Sequence, residues 1–280
     1  MNQEEKLEKL KNDLKSMKRL IVAYSGGVDS TFLLRVAQDV LHDGVIAVTA
    51  RSSTYPEREF NQSKELAGKI GARHFIIESE ELDIDGYSSN PVNRCYYCKK
   101  ELFTKINELA SRMGVQYVAD GSNVDDLCDY RPGRQASGEL NVVSPLKDAE
   151  MNKQDIRELS RKMGLETWDK PAFACLASRF PYGQQITHEK LKMVDEAEQY
   201  LIDRGFRQVR VRHHGEIARI EVAVEERPKF FDEKLMDAVH EKFHKIGFQY
   251  IALDLRGYRM GSLNEGMVNQ SASRKAGAEQ

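Results

Sequence analysis

The residues best suited to chemistry form one run, Ser25-Gly26-Gly27-Val28-Asp29-Ser30. Leu20 to Tyr24 before it is a short apolar stretch with β-branched residues, the pattern of a buried parallel strand. Thr31 to Ala37 after it opens a helical pattern. Glycines at such a junction permit close backbone approach and unusual φ/ψ. The turn then aims several N–H groups and a positive helix end at one spot, which suits an anion. No lysine follows the glycines, so this is not a Walker-type loop. The carboxylate of Asp29 stands there instead, and a carboxylate beside bound phosphate makes best sense with Mg²⁺ between them. A strand–helix turn without a ligand is the competing account.

The cysteines are a second constellation: Cys95, Cys98, Cys128 and Cys175. Cys95 and Cys98 have the spacing that lets one loop chelate a single metal centre. Together with Cys175, three thiolates can bind three corners of a [4Fe–4S] cluster and leave one iron open for exogenous sulfide. A zinc site completed by Cys128 or a histidine, or unrelated buried thiols, would explain the same residues. Cys128 lacks a partner at motif spacing. A third constellation is Val209-Arg210-Val211-Arg212, whose alternation buries the valines on one face and sends both arginines to the other. Paired guanidinium groups suit a phosphate; the alternative is a solvated strand face.

The elements that must position these residues follow from periodicity. Glu4 to Leu20 reads as an amphipathic helix with Leu7, Leu10, Leu14 and Met17 on its packing side. Val45 to Ala50, His74 to Ile77, Val115 to Ala119 and Asn141 to Ser144 read as further strands. Phe60 to Ile70, Glu101 to Met113 and Lys153 to Met163 read as helices between or after them. Alternating strands and helices predict an α/β fold with a doubly wound parallel sheet, its ligands at the carboxyl ends of the strands. Those ends are Tyr24, Thr49 and Ala119, followed by Ala50-Arg51-Ser52-Ser53 and Asp120-Gly121-Ser122-Asn123. Turn chemistry alone would also favour these residue types. Asp129-Tyr130-Arg131-Pro132-Gly133-Arg134 is too polar for a core and is expected at a substrate entrance.

Pro181 and Gly183 punctuate a linker to a second, smaller α+β domain, so the expected division is 1–180, 181–265 and a disordered tail over 266–280. Thr187 to Arg204 reads as a helix capped by Thr187. Gln208 to His213 and Ile217 to Val222 read as a hairpin around His214-Gly215. Lys229 to Lys245 reads as a helix, and Tyr250 to Leu255 as a last strand. At 280 residues the chain can bury a core for two domains. Lys and Arg number 42 against 44 Asp and Glu, a balance that argues against a large nucleic-acid footprint. No apolar run approaches a membrane span, and the charged N-terminus is not a secretory signal. A cytoplasmic protein is expected, where structural disulfides are uncommon.

Ser25-Gly26-Gly27-Val28-Asp29-Ser30 matches the SGGxDS motif of the PP-loop ATP pyrophosphatases. Ser178-Arg179-Phe180-Pro181-Tyr182-Gly183, Val209-Arg210-Val211-Arg212, Ile217-Ala218-Arg219-Ile220-Glu221 and Asp129-Tyr130-Arg131-Pro132-Gly133 extend the likeness to nearly the whole chain. In these the sequence resembles the LarE family of sulfur transferases within that group. The resemblance implies ATP and Mg²⁺ as cofactors, with the nucleotide on Ala23, Ser25, Gly26, Gly27, Val28, Asp29, Ser30, Ala50 and Gly121. It implies a pyridinium carboxylate mononucleotide substrate, adenylated and then given sulfur as a thiocarboxylate for the nickel-pincer nucleotide of lactate racemase. The substrate phosphate is expected on Ser178, Arg179, Arg210 and Arg212, and catalytic roles on Asp29 and Cys175. Glu198 and Glu221 match positions that bind metal in relatives, although exposed glutamates are commonly just surface. Some members carry only a cysteine near Cys175 and sacrifice its sulfur. The presence of Cys95 and Cys98 points instead to the branch with a [4Fe–4S] cluster on Cys95, Cys98 and Cys175, fed by an external sulfur donor. A homo-oligomer is implied, and tRNA thiolation is the runner-up activity.

Overall fold

The structure is a computed structural model; it describes residues 1–128, 132–172, 174–259 and 261–262, with the backbone alone at Leu127 and Cys128. The chain packs as two units, Met1–Phe173 and Ala174–Gln280. The division falls before the Pro181-Gly183 linker because Ser178 and Arg179 bond within the second unit, Arg179 to Glu198. Asp129, Tyr130, Arg131 and the expected tail lie outside the described residues.

The first unit opens with α1 (Gln3–Met17), begun by a reciprocal Asn2–Glu5 capping box, and β1 (Leu20–Ala23). Then come α2 (Val28–Leu41), β2 (Val45–Arg51), α3 (Glu57–Ile70) and β3 (Arg73–Glu78). They are followed by α4 (Arg94–Met113), β4 (Tyr117–Ala119), α5 (Gly133–Glu139), α6 (Pro145–Asp148) and α7 (Lys153–Lys162). The strands form one parallel sheet in the order β3-β2-β1-β4.

Alternation along the central strands explains why helices cover both faces. Leu20 and Val22 join Leu10, Leu14, Phe32, Leu33, Ile156 and Leu159 in one core. Ile21 joins Phe103, Ile106 and Ala110 in the other. A strand buried on both sides must be apolar throughout, and β1 is. The order reverses between β1 and β4, so the crevice of this doubly wound sheet opens above their carboxyl ends.

Two expectations for the first unit need correction. Asn141 to Ser144 is not a strand but a single bridge from Val143 to Ala119. Asn141 sits at φ 54° and Pro145 starts α6, which leaves no room to extend the pairing. Helix α4 begins at Arg94, not Glu101, so Cys95 and Cys98 lie within its first two turns rather than on a loop. Arg94 is buried, its guanidinium donating to Asn90 and its amide to the Pro91 carbonyl, which seeds the helix early.

The second unit holds α8 (His188–Ile202), β5 (Val209–His214), β6 (Ile217–Val222), α9 (Glu233–Ile246) and β7 (Tyr250–Leu253). Thr187 caps α8 by accepting from the Lys190 amide at 3.3 Å, as its position predicts. β5 and β6 form the antiparallel hairpin, and β7 adds to β6 in parallel. The expected helix from Lys229 starts later, at Glu233. Pro228 falls in a 3-10 turn, and Asp232 then caps α9 through the Lys234 amide at 3.0 Å. Among the described residues no helix is long and apolar enough to cross a membrane.

Candidate functional site

The loop after β1 is built as an anion cradle. The first intrahelical bond of α2 runs from the Thr31 amide to the Gly27 carbonyl at 3.0 Å, so the amides of Val28, Asp29 and Ser30 point out of the helix end. Gly26 sits at φ +62°, and a Cβ there would lie 3.0 Å from Ser63 Cβ. α3 therefore packs against the turn at a position only glycine fills without strain. Ser30 Oγ accepts from the Ser25 amide at 3.3 Å and lies 3.1 Å from Ser25 Oγ. The Tyr55 hydroxyl donates to the Ser25 carbonyl at 2.8 Å. Burial, then the Glu59 charge, pushes that phenol well above its usual range, so it stays a donor.

Asp29 stands at the mouth of this cradle. Its Oδ1 accepts from Asn123 Nδ2 at 3.3 Å, and its Oδ2 lies 2.5 Å from Lys153 Nζ. Lys153 is the first residue of α7, and its own amide donates to Asp125 Oδ2 at 2.8 Å. An Asn152–Asp155 capping box fixes that helix end. Gly121 brings β4 against the loop, since a Cβ there would stand 3.0 Å from the Ser30 nitrogen and 3.3 Å from its Cα. Lys170 pins the other side: its ammonium donates to the Gly26 carbonyl at 3.1 Å and to Gln62 at 2.6 Å, and pairs with Glu59 at 2.7 Å. Sequence reasoning missed both lysines. The capping pattern around Lys153 is legible, but nothing in the sequence shows that α7 returns to the loop.

Ala23 ends β1, and Ala50 lies one residue before the end of β2, both at the carboxyl edge of the sheet. Beyond Ala50, Ser53 Oγ donates to Glu80 at 2.7 Å and Thr54 Oγ1 to Glu81 at 3.1 Å. A depression of about 690 Å³ beside them is lined by Arg51, Ser52, Ser53, Glu57, Glu80 and Lys105, among others. Cys95 is exposed and Cys98 half-buried, one turn apart on the same face of α4. Cys98 donates weakly to Glu81 at 3.6 Å. Burial raises the Glu81 carboxyl pKa, opposed by hydrogen bonds from Ser52 and Thr54. Among the described residues no group of three His, Cys, Asp or Glu side chains is arranged to hold a metal ion.

The remaining expected residues belong to the second unit. Cys175 is half-buried and precedes a 3-10 turn, Leu176–Arg179. Arg179 is fully buried, with its fork on both oxygens of Glu198 at 2.7 Å. Burial alone would lower its pKa, but the charge and hydrogen bonds of Glu198, with smaller contributions from Cys175 and Asp195, together raise it. Arg210 and Arg212 share a sheet face, as the alternation predicts, but that face is buried, not solvated. Arg210 donates to its neighbour's carbonyl at Val209 and faces the Tyr258 ring. Burial, and then the charge of Arg179, lowers its pKa to about 10. Arg212 donates to the Ser178 carbonyl and to Glu221, both at 2.8 Å. Its Nε is buried without a hydrogen-bond partner among the described residues. Glu221 is shared between Arg212 and Arg219, and Glu198 is taken by Arg179 and the Val211 amide. Both glutamates thus sit in the core with arginine partners, not on the surface. Three arginines are buried here beside Glu198 and Glu221, and burying guanidinium groups is costly unless anions compensate them.

Comparison with known proteins gives three consistent results. The NAD synthase family model matches residues 3–125. Pyridinium-3,5-bisthiocarboxylic acid mononucleotide synthase of Lactiplantibacillus plantarum is 39% identical over 90% of this chain and 91% of its own. Uncharacterised proteins of Synechocystis and Methanocaldococcus jannaschii are 44% and 31% identical, over 93% and 91% of this chain and 97% of each relative.

Proposed function

The chain belongs to the LarE family of PP-loop enzymes, and from that premise we propose that it is an ATP-dependent sulfur transferase acting on a pyridinium carboxylate mononucleotide. The product would be a thiocarboxylate on the way to the nickel-pincer nucleotide of lactate racemase-type enzymes. The observation that carries the reading is the meeting of Asp29, Lys153 and the outward amides of Val28 to Ser30. Together they offer a hard oxygen ligand for Mg²⁺, a lysine ammonium and a set of backbone donors, which suits a departing pyrophosphate.

The residues divide the work as follows. A substrate carboxylate oxygen attacks the α-phosphorus of ATP, forming an O–P bond as the bond to the bridging oxygen breaks. The loop amides and Lys153 stabilise the charge gathering on pyrophosphate, and Asp29 is the carboxylate that would hold Mg²⁺ beside the phosphates. Sulfur then attacks the acyl-adenylate carbonyl, and the C–O bond to AMP breaks. Ser178, Arg210 and Arg212 hold the substrate phosphate, a role supported by the two buried guanidinium groups on one strand face and by the buried Arg212 Nε, which has no hydrogen-bond partner among the described residues. A [4Fe–4S] cluster on Cys95, Cys98 and Cys175 would carry external sulfide for the second step. The thiols on one face of α4 suit two of its corners. The same reading makes the protein a cytoplasmic homo-oligomer.

Two measurements test this. Pyrophosphate release from ATP should depend on the pyridinium mononucleotide and vanish in Asp29→Ala; release without that substrate, or none at all, would reject the adenylation. Anaerobically purified protein should carry about four irons per chain and lose them in Cys95→Ala. Iron-free protein after reconstitution, with Cys175 converted to dehydroalanine on turnover, would replace the cluster by sacrifice of the Cys175 sulfur.

A further inference from the structure

Arg179 and Glu198 are usually the kind of pair passed over as core, but their bonds reach functional atoms. The Arg179 fork spends Nε and one terminal nitrogen on Glu198. The other terminal nitrogen donates to the Ala174 carbonyl at 2.7 Å, the Cys175 carbonyl at 3.1 Å and Ser178 Oγ at 2.9 Å. Glu198, from α8, in turn accepts from the Val211 amide at 2.9 Å. β5 is an edge strand, so that amide, between Arg210 and Arg212, points away from β6 and has no sheet partner on its side. One buried ion pair therefore ties the backbone of Cys175, the hydroxyl of Ser178, helix α8 and the strand that carries both other arginines.

We propose that Arg179 and Glu198 are positioning residues: their pair sets the placement of the Cys175 segment and of Ser178 against Arg210 and Arg212, rather than binding phosphate or metal themselves. This rests on the reading of Cys175 as a thiol of the sulfur-transfer site and of Ser178, Arg210 and Arg212 as the phosphate site. Geometry favours it over a purely stabilising role. A buried ion pair contributes little net stability against an apolar pair of similar volume. This one spends three further donor contacts on the chain segment between Ala174 and Ser178. Arginine is the side chain that can do so, because its planar fork satisfies a carboxylate on one edge and carbonyls on the other. Lysine cannot span both.

The discriminating variant is the double replacement Arg179→Met/Glu198→Leu, which removes the hub while keeping an apolar core of similar volume. Thermal unfolding reports how much stability is lost as the Val211 amide and the Ala174 and Cys175 carbonyls lose their buried partners. In iron-free protein, alkylation of Cys175 by iodoacetamide, followed by peptide mass mapping, should accelerate by about tenfold or more, beyond any change in global stability, as the segment loses its tethers. Inorganic phosphate, detected by its effect on unfolding temperature, should bind about tenfold more weakly because Ser178 and β5 are no longer held in register. Glu198→Gln, which keeps the shape and can still accept from Arg179, should fall between wild type and the double variant in both readouts. It also serves if the double variant does not fold. A folded variant with unchanged Cys175 alkylation and unchanged phosphate affinity would overturn the proposal. If wild type itself ignores phosphate, the phosphate reading fails, while the alkylation rates still decide the positioning role of Arg179 and Glu198.

Discussion

Lys153 Nζ lies 2.5 Å from Asp29 Oδ2, joining residues 124 apart in the chain. The glycine loop lacks a lysine of its own, and α7 supplies one. Lys153→Ala should slow substrate-dependent pyrophosphate release by about 10²–10³-fold, the loss expected when a preorganised charge-stabilising group is removed. Lys153→Arg should recover part of it. Rates in Lys153→Ala equal to wild type, measured with saturating ATP, would remove the lysine from the chemistry.

A Cβ on Gly121 would lie 3.0 Å from the Ser30 nitrogen, tight enough that the loop backbone would have to shift, which makes Gly121 the packing point between β4 and the loop. Gly121→Ala should destabilise the first unit by about 1–3 kcal/mol through forced displacement of the α2 backbone. It should also weaken ATP binding, because the displaced residue belongs to the cradle. Denaturant melts and nucleotide titration check both; an alanine variant with wild-type ATP affinity would show that the loop tolerates the shift.

The strand alternation, the SGGxDS turn and the arginine pair were all legible in the sequence because each depends on local period or local turn chemistry. The parallel sheet followed from them. What stayed hidden depends on distant pairing. Lys153 meets Asp29, and Lys170 meets Gly26, only because α7 and the segment after it fold back over α2 and α3. The strand at Asn141 was misread because its apolar pair Val142-Val143 looks like a strand, while Asn141 and Pro145 limit it to one bridge. The cysteine pair read as a loop motif because no local signal marked Arg94 as a helix start. Its burial against Asn90 is what seeds the helix.

Arg210 is buried, and burial, then the charge of Arg179, lowers its pKa to about 10. An anion should therefore stabilise the second unit. Inorganic phosphate at about 100 times its Kd should add about 2.7 kcal/mol to the free energy of unfolding. Arg210→Ala should weaken that binding by about 10–100-fold, as loss of a charged hydrogen-bonding partner requires. An equal phosphate response in wild type and Arg210→Ala would place the anion elsewhere.

His213 lies in the core of the second unit between Phe180 and Phe248, with Nδ1 3.0 Å from the Gln184 amide. Burial, and secondarily the Lys190 charge, lowers its pKa to about 4 from 6.5. The unfolded chain then binds a proton that the folded chain refuses, so stability is complete above pH 6.5 and falls toward pH 4. The loss is roughly 2–3 kcal/mol over that window. His213→Phe should flatten this part of the pH–stability curve; a variant with the wild-type slope would assign the acid sensitivity to other groups.

The most direct measurement is the mass of the product formed from ATP, Mg²⁺, sulfide and the pyridinium carboxylate mononucleotide on anaerobically purified protein. The account predicts a species in which one carboxylate oxygen is replaced by sulfur, formed in step with AMP and pyrophosphate and absent with Asp29→Ala. Recovery of unchanged substrate, or of an adenylate that never acquires sulfur while ATP is consumed, would contradict it.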